Sequence, residues 1–323
     1  MTSLRLGSLE LKAPFLLAPM ESVSDAAFRR LCWEQGAALT FTEMIRGAAL
    51  ARNNRSTIEL IDTVDPEVLT GVQLLVANEK ELLGALNRLE ALAQSTHPHL
   101  ANIRVVDLNF GCPSPDVIRL GAGPALLKRR AKMRAIFDAL RGFQQKSHLP
   151  IAAVGAKIRL GLNRREQDEE VYLSVVDAAN EALDYLVIHA RHARQGSDDP
   201  ATWSAIARAK AQAKIPLIGN GDIASLADFG RLETETAADG AMIARGAIRS
   251  PWVFRGLTQK GSPEPTSLEE LDAAEASYNR LADRFHARPK FRTWHAQGFA
   301  RMRARLLGKT VQGSAMPENQ NLF

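Results

Sequence analysis

Val106-Asp107-Leu108-Asn109-Phe110-Gly111-Cys112-Pro113-Ser114-Pro115 begins as a short apolar strand and ends in Gly-Cys-Pro. Proline cannot continue a ladder and glycine permits a sharp turn, so such a strand delivers its last side chains to a rim. Asn109 and Cys112 are therefore expected at the carboxyl end of a strand, on a loop facing a cavity. A lone free cysteine is most often a small buried hydrophobe. Whether Cys112 is more than that depends on what the rest of the chain places beside it.

Outward from this stretch, short apolar runs recur at residues 15–20, 38–43, 69–75, 104–109, 151–159, 185–189, 215–220 and 240–243. Helical patterns lie between them. Residues 25–35 follow Ser24 as N-cap and close at Gly36, and 79–94 carry Leu82, Leu83, Leu86 and Leu89 on one face. Further helices are read at 47–60, 131–146, 167–182, 201–213 and 225–232. Strands this apolar imply burial on both faces, hence parallel pairing under covering helices. Eight βα units in roughly 250 residues are what a TIM (β/α)8 barrel requires. A doubly wound sheet is the alternative, but no G-x-G-x-x-G follows the first strand, and Gly121-Ala122-Gly123 is a lone G-x-G.

The expected division is a barrel over residues 1–255 and a small all-helical domain over 256–323. Gly261-Ser262-Pro263-Glu264-Pro265 reads as the linker, with helices at 268–288 and 296–307. Between Arg280 and Lys309 stand Arg284, Arg288, Lys290, Arg292, Arg301, Arg303 and Arg305, with Asp283 as the only acid. Beside Phe291, Trp294, His295 and Phe299, this one-sided charge points to a nucleic-acid surface.

The 323-residue chain is 46% hydrophobic and 24% charged, the pattern of a globular protein. Its formal net charge of +5 leans towards a polyanionic partner. Residues 1–12 have no apolar core of a signal peptide, and no apolar run is long enough to cross a bilayer. Cys32 and Cys112 form neither a disulfide set nor a zinc pattern. A cytoplasmic, metal-free protein is expected, acting as a monomer.

TIM barrels do their chemistry at the carboxyl ends of the strands. Those ends read Pro19-Met20, Glu43, Gln73, Asn109 with Cys112, Lys157 with Arg159, His189 with Arg191, Asn220-Gly221-Asp222 and Ala244-Arg245-Gly246. Singly, each has a bland reading as turn, core histidine or snorkelling lysine. Eight polar ends together do not pack a core. The last two sit where many barrels bind phosphate.

These pieces resemble the tRNA-dihydrouridine synthase family. The matching motifs are Ala18-Pro19-Met20, Thr42-Glu43-Met44, Val72-Gln73-Leu74, Asp107-Leu108-Asn109-Phe110-Gly111-Cys112-Pro113, Lys157-Ile158-Arg159-Leu160-Gly161, His189-Ala190-Arg191, Gly219-Asn220-Gly221-Asp222 and Ala244-Arg245-Gly246. The resemblance implies an FMN enzyme that reduces the C5=C6 bond of a D-loop uridine in tRNA, with NADPH, or NADH, as reductant. It places Pro19, Met20 and Gln73 on the flavin ring and Lys157 at its pyrimidine end. His189, Asn220, Gly221, Asp222, Ala244 and Arg245 would hold the ribityl phosphate, and Asn109 and Arg159 would orient the uracil. Cys112 would be the proton donor, and the basic tail, with Arg301 and Arg305, would carry the tRNA. The run at 121–128 resembles the subgroup acting on uridine 16. Ser22, Ala190 and Ala244 stand where the family often has glycine, and Ser114-Pro115-Asp116 where it has a lysine. Rival readings are an FMN dehydrogenase of a free pyrimidine or dihydroorotate, a non-catalytic tRNA-binding relative, and a flavin-free aldolase using Lys157.

Overall fold

Apolar residues on both faces of a strand demand cover on both faces, and the eight runs find it by pairing side by side into a closed parallel sheet. The computed structural model describes residues 3–61 and 64–309. Strands β1 (Leu4–Leu6) and β2 (Leu9–Leu11) form an antiparallel hairpin. The barrel strands are β3 (Phe15–Leu17), β4 (Thr40–Phe41), β5 (Ile45–Arg46), β6 (Thr70–Leu75), β7 (Val105–Phe110), β8 (Ala153–Arg159), β9 (Tyr185–His189), β10 (Leu217–Asn220) and β11 (Gly240–Ile243). Their order is β3-β11-β10-β9-β8-β7-β6-β4, with β5 also on β6. A parallel bridge between Leu16 and Leu39 closes the ring, and Leu17 N–H donates to the Leu39 carbonyl at 2.9 Å. This is the expected TIM barrel, with its second position split into two short pieces. The break at residues 42–44 leaves Glu43 at the mouth.

The hairpin lies at the opposite end. Gly7, at φ +56°, turns it, and Ser8 N–H reaches the Ala152 carbonyl at 3.0 Å. A Cβ on Gly7 would lie 2.4 Å from that carbonyl oxygen.

Helix boundaries follow the caps. Asp25, not Ser24, caps Ala26–Glu34, its carboxylate accepting from Phe28 N–H at 2.8 Å. Ser24 instead exchanges hydrogen bonds with the Met20 backbone. Helix Glu79–Gln94 has the expected bounds, but Leu83 is exposed, because the buried stripe runs through Leu82, Ala85, Leu86 and Leu89. The helix read at 167–182 breaks into Arg164–Asp168 and Leu173–Ala182, with Glu170 in the left-handed region at φ +50° between them.

In the tail, Leu268–Arg284 packs against Pro289–Leu306. The second helix starts seven residues earlier than the apolar pattern suggested. Proline serves at its first position, where no intrahelical N–H is needed. Leu271, Tyr278, Ala282, Trp294, Phe299 and Met302 belong to the same apolar cluster as the barrel core. Residues 310–323 of the expected helical domain lie outside the described residues.

Inside the barrel, register pairs Asp107 with Gly155 and Gly155 with Tyr185. The Tyr185 ring fills the space beside Gly155, where a Cβ would sit 2.2 Å from ring carbon Cζ. Neither the ring nor the backbone of β8 can move within a closed barrel. Gly155→Ala is therefore expected to lower the unfolding free energy by about 3 kcal/mol, the upper end of the usual overpacking cost. Urea denaturation checks this; a wild-type midpoint would show that the ring has room to shift.

Candidate active site

The site is built from neighbouring strand ends. Register sets Gln73 beside Asp107, Asn109 beside Lys157, Arg159 beside His189, and His189 beside Asn220. Alternation along each strand points these side chains into the barrel mouth. Asp107, fully buried, accepts from Gln73 Nε2 at 2.7 Å and from the Tyr185 hydroxyl at 2.9 Å. Burial pushes its carboxyl up to about 6. Gln73 Oε1 accepts from Asn109 Nδ2 at 2.8 Å. Asn109 Oδ1 in turn accepts the backbone N–H groups of Gly111 at 3.0 Å and Cys112 at 2.9 Å. One carboxamide thus fastens the Cys112 loop to the barrel interior.

Cys112 is half-buried. Burial pushes its thiol above the ordinary range, against a hydrogen bond from the Ser114 N–H and the charges of Arg159 and Arg46. At neutral pH it is a protonated thiol. Arg159 is held by the Gly111 carbonyl at 2.9 Å and the His192 carbonyl at 3.1 Å. Two bonds leave donor capacity in its five-proton fork. Lys157 lies between Asp107 and Arg159. Burial, then Arg159, brings it down to about 7.

On the far side, Asp222 accepts from Arg191 Nη2 at 2.7 Å, from Arg245, and from Ala201 N–H at 2.8 Å. Despite partial burial these donors hold its carboxyl below the usual range. His189, buried and ringed by Arg159, Lys157, Arg191 and Arg245, is held well below its ordinary value and is neutral. Asn220 Nδ2 donates to the Met242 carbonyl at 2.7 Å. Gly221, at φ +117°, allows the strand to turn over His189, where a Cβ would lie 3.3 Å from the ring.

Pro19 and Met20 follow β3 on a loop. Ser22 in that loop adopts φ +62°, a conformation that favours glycine. Its N–H donates to Glu43 and its Oγ accepts from Lys290 at 2.9 Å. Burial raises Glu43 to about 7.

The mouth therefore unites Pro19, Met20, Gln73, Asn109, Cys112, Lys157, Arg159, His189, Asn220, Gly221, Asp222, Ala244 and Arg245. Arg301 and Arg305 stand apart on the tail. Arg305 is engaged with Glu264 at 2.8 Å and the Arg249 carbonyl at 3.0 Å, while Arg301 lies 5.5 Å over the Trp294 ring. Asp107 and Tyr185 escape sequence reading; only register reveals that they support Gln73. Among the described residues no cluster of His, Cys, Asp and Glu could hold a metal, and no helix is long and apolar enough to cross a membrane.

A closed parallel barrel with a thiol, a lysine and several arginines at one mouth is a TIM-barrel enzyme of the kind that works at its strand ends. The dihydrouridine synthase (Dus) family profile matches residues 16–310, and the chain belongs to that family. It is 32% identical over 261 residues to a probable tRNA-dihydrouridine synthase of Aquifex aeolicus, covering 81% of this chain and 78% of the relative. A probable tRNA-dihydrouridine synthase of Treponema pallidum is 30% identical over 293 residues, covering 86% and 81%. In fold it is similar to a morphinone reductase solved with tetrahydroNAD, with TM-score 0.54 and 14% identity, covering 81% of this chain and 90% of that one. Histamine dehydrogenase from Rhizobium sp. 4-9 aligns with TM-score 0.60 and 12% identity, over 86% of this chain and 50% of that longer one.

Asn109→Ala removes the acceptor of two loop amides and the donor to Gln73. The expected stability loss is ~2–3 kcal/mol, read from chemical denaturation. An unchanged midpoint would mean that the loop is held by other contacts.

Proposed function

We propose that this chain is a tRNA-dihydrouridine synthase, reducing the C5=C6 bond of a D-loop uridine with FMN as cofactor and NADPH, or NADH, as reductant. The observation that carries the reading is the fixed Cys112 thiol beside Lys157 and Arg159, in a chain of the dihydrouridine synthase family. The mouth fits an anionic flavin. Lys157, Arg159 and Arg191 crowd together; Asp222 is bonded to Arg191, while Asp107 spends its hydrogen bonds on Gln73 and Tyr185 and reaches Lys157 only through its charge. This excess of positive charge agrees with the expectation of FMN.

Pro19, Met20 and Gln73 would line the flavin ring, with Lys157 at its pyrimidine end. His189, Asn220, Gly221, Ala244 and Arg245 would hold the phosphate, with the Asp222 carboxylate orienting Arg245 and Arg191 towards it. When bound, FMN supplies the hydride that adds to C6 of the uracil. Negative charge then builds towards C5 and O4, and the protein's part is to place cations and a proton there. Arg159, immobilised through Nε and Nη1, has N–H groups left for a uracil oxygen, and Asn109 keeps one Nδ2 proton for the same purpose. Cys112, protonated because its burial disfavours thiolate, gives its proton to C5. Reprotonation of the thiol from water restores the protein's proton donor, and NADPH or NADH would supply the two electrons that each turnover consumes. The target base must leave its stack to enter the mouth, and the tRNA body lies across the rim and tail, Arg301 among its contacts. An FMN dehydrogenase of a free pyrimidine would share the flavin contacts but would have no use for the basic tail.

Cys112→Ala should keep FMN binding and lose at least ~100-fold in dihydrouridine formation. Nucleoside mass spectrometry of an unmodified tRNA incubated with protein, FMN and NADPH measures it. Wild-type turnover in the variant removes Cys112 from the proton transfer. No tRNA product from wild-type protein that is reoxidised by a free pyrimidine favours the small-molecule dehydrogenase.

Lys157 sets a pH dependence. In flavin-free protein it titrates near 7, so it is charged below that pH and neutral above it. An anionic ligand raises its pKa, so binding above pH 7 takes up a proton. FMN affinity should fall as pH rises from about 7 to 9, by up to ~10-fold per unit. Lys157→Met should flatten the profile. A wild-type Kd that is constant over this range would show that Lys157 does not face the flavin charge.

A further inference from the structure

Several of the tail cations are engaged by carboxylates within the protein. Arg303 pairs with Asp272 and Glu275, Arg305 with Glu264, and Arg292 with Asp283 at 2.7 Å. Arg288 lies 3.8 Å from Glu59. The segment after the Cys112 loop is built the other way. Arg129, Arg130 and Lys132 are all exposed, and among the described residues none has a carboxylate partner. They open the helix Arg130–Lys146, whose first turn holds no acid and whose N-cap, Arg129, makes no side-chain cap. Cations at that end oppose the helix dipole as well as one another, so folding gives no reason for the cluster.

Contacts join this cluster to the catalytic loop. Arg129 Nη1 is 3.6 Å from the Cβ position of Gly121, and the Cβ position of Gly123 is 3.3 Å from the Cys112 carbonyl oxygen. Lys128 bridges to Glu166 at 3.5 Å and Glu169 at 3.3 Å, beside the loop after β8. Exposed Arg194, after β9, is tied to that loop through its N–H to the Leu162 carbonyl at 3.2 Å. The cations thus follow β7 and β9, on either side of β8. The tail packs on helix Ala26–Glu34 after β3 and helix Arg245–Arg249 after β11. In the strand order, β8 lies across the barrel from β3. The two basic surfaces flank the mouth on opposite sides.

We propose that Arg129, Arg130, Lys132 and Arg194 form a second RNA-binding surface, which holds sugar–phosphate backbone beside the target nucleotide, across the mouth from the helical tail. This rests on the tRNA reading above. Exposed, unpaired guanidinium and ammonium groups suit phosphates, and a polyanion spanning the mouth would be gripped on both sides of the base that enters it. Arg129 meets this surface's edge at Gly121, two residues from the glycine that lies against the Cys112 carbonyl.

The test is binding of an unmodified tRNA transcript by flavin-loaded protein at several salt concentrations between about 50 and 200 mM. In Arg129→Glu/Arg130→Glu/Lys132→Glu the Kd should rise at least ~10-fold, and the slope of log K against log salt should shrink by about 2. Flavin content and thermal midpoint should stay at the wild-type values. The corresponding triple alanine variant should show a smaller change of the same sign, and it carries the test if charge reversal disturbs folding. Folded, flavin-loaded variants with wild-type affinity and slope overturn this surface alone. Wild-type protein that binds no tRNA at any salt overturns the tRNA reading itself, and the surface with it.

Discussion

A carboxyl group buried in the middle of a barrel must be satisfied by its neighbours or expelled. Asp107 is satisfied by Tyr185 from one side and Gln73 from the other. That arrangement fixes the Gln73 carboxamide, which fixes Asn109, which fixes the amides of Gly111 and Cys112. The Cys112 backbone is therefore held by a chain of hydrogen bonds anchored in the barrel interior, and not by its own loop alone. The requirement reaches further, to Gly155, because only a missing side chain lets the Tyr185 ring lie where its hydroxyl meets Asp107. Each member is a polar group in a dry place, so loss of one leaves its neighbour unsatisfied.

Around this anchor the mouth is electrostatically unbalanced. Lys157 and Arg159 are both pulled down from their ordinary values by burial and by neighbouring cations. Arg191 and Arg245 share Asp222. Such crowding of positive charge costs stability in the empty protein and is relieved by an anion. The same logic keeps His189 neutral, able to donate from one ring nitrogen and accept at the other.

The helical tail bears on the same machinery. The Tyr278 hydroxyl donates to Asp25 at 3.0 Å, and His295 Nε2 lies 2.9 Å from the Val23 carbonyl while its ring stacks on Phe28. Lys290 holds Ser22. All four barrel partners lie in or just after the loop that carries Pro19 and Met20. A segment that looks like a separate RNA-binding appendage is thus packed against one wall of the site.

Much of this was legible in the chain. Strand runs such as Tyr185–His189 and Gly240–Ile243, the helix Glu79–Gln94 and the Gly-Cys-Pro stop are local signals, because period, caps and turn residues act over a few positions. They determined the barrel, its working end and the polar residues there. Other features were decided by pairings distant in sequence. Asp107 reads as one more strand residue until β9 brings Tyr185 to it. Ser24 loses the cap to Asp25 because its hydroxyl is taken by Met20. Arg303 and Arg305 look free until Asp272, Glu275 and Glu264 fold onto them. Lys132 falls within the helix read at 131–146 and Arg129 and Arg130 just before it, with nothing in the local pattern to single them out. The sequence determined which residues stand at the strand ends, since that depends on local order. Only the tertiary structure decided which charges are neutralised and which remain for a partner, because an ion pair depends on distance in space and not along the chain.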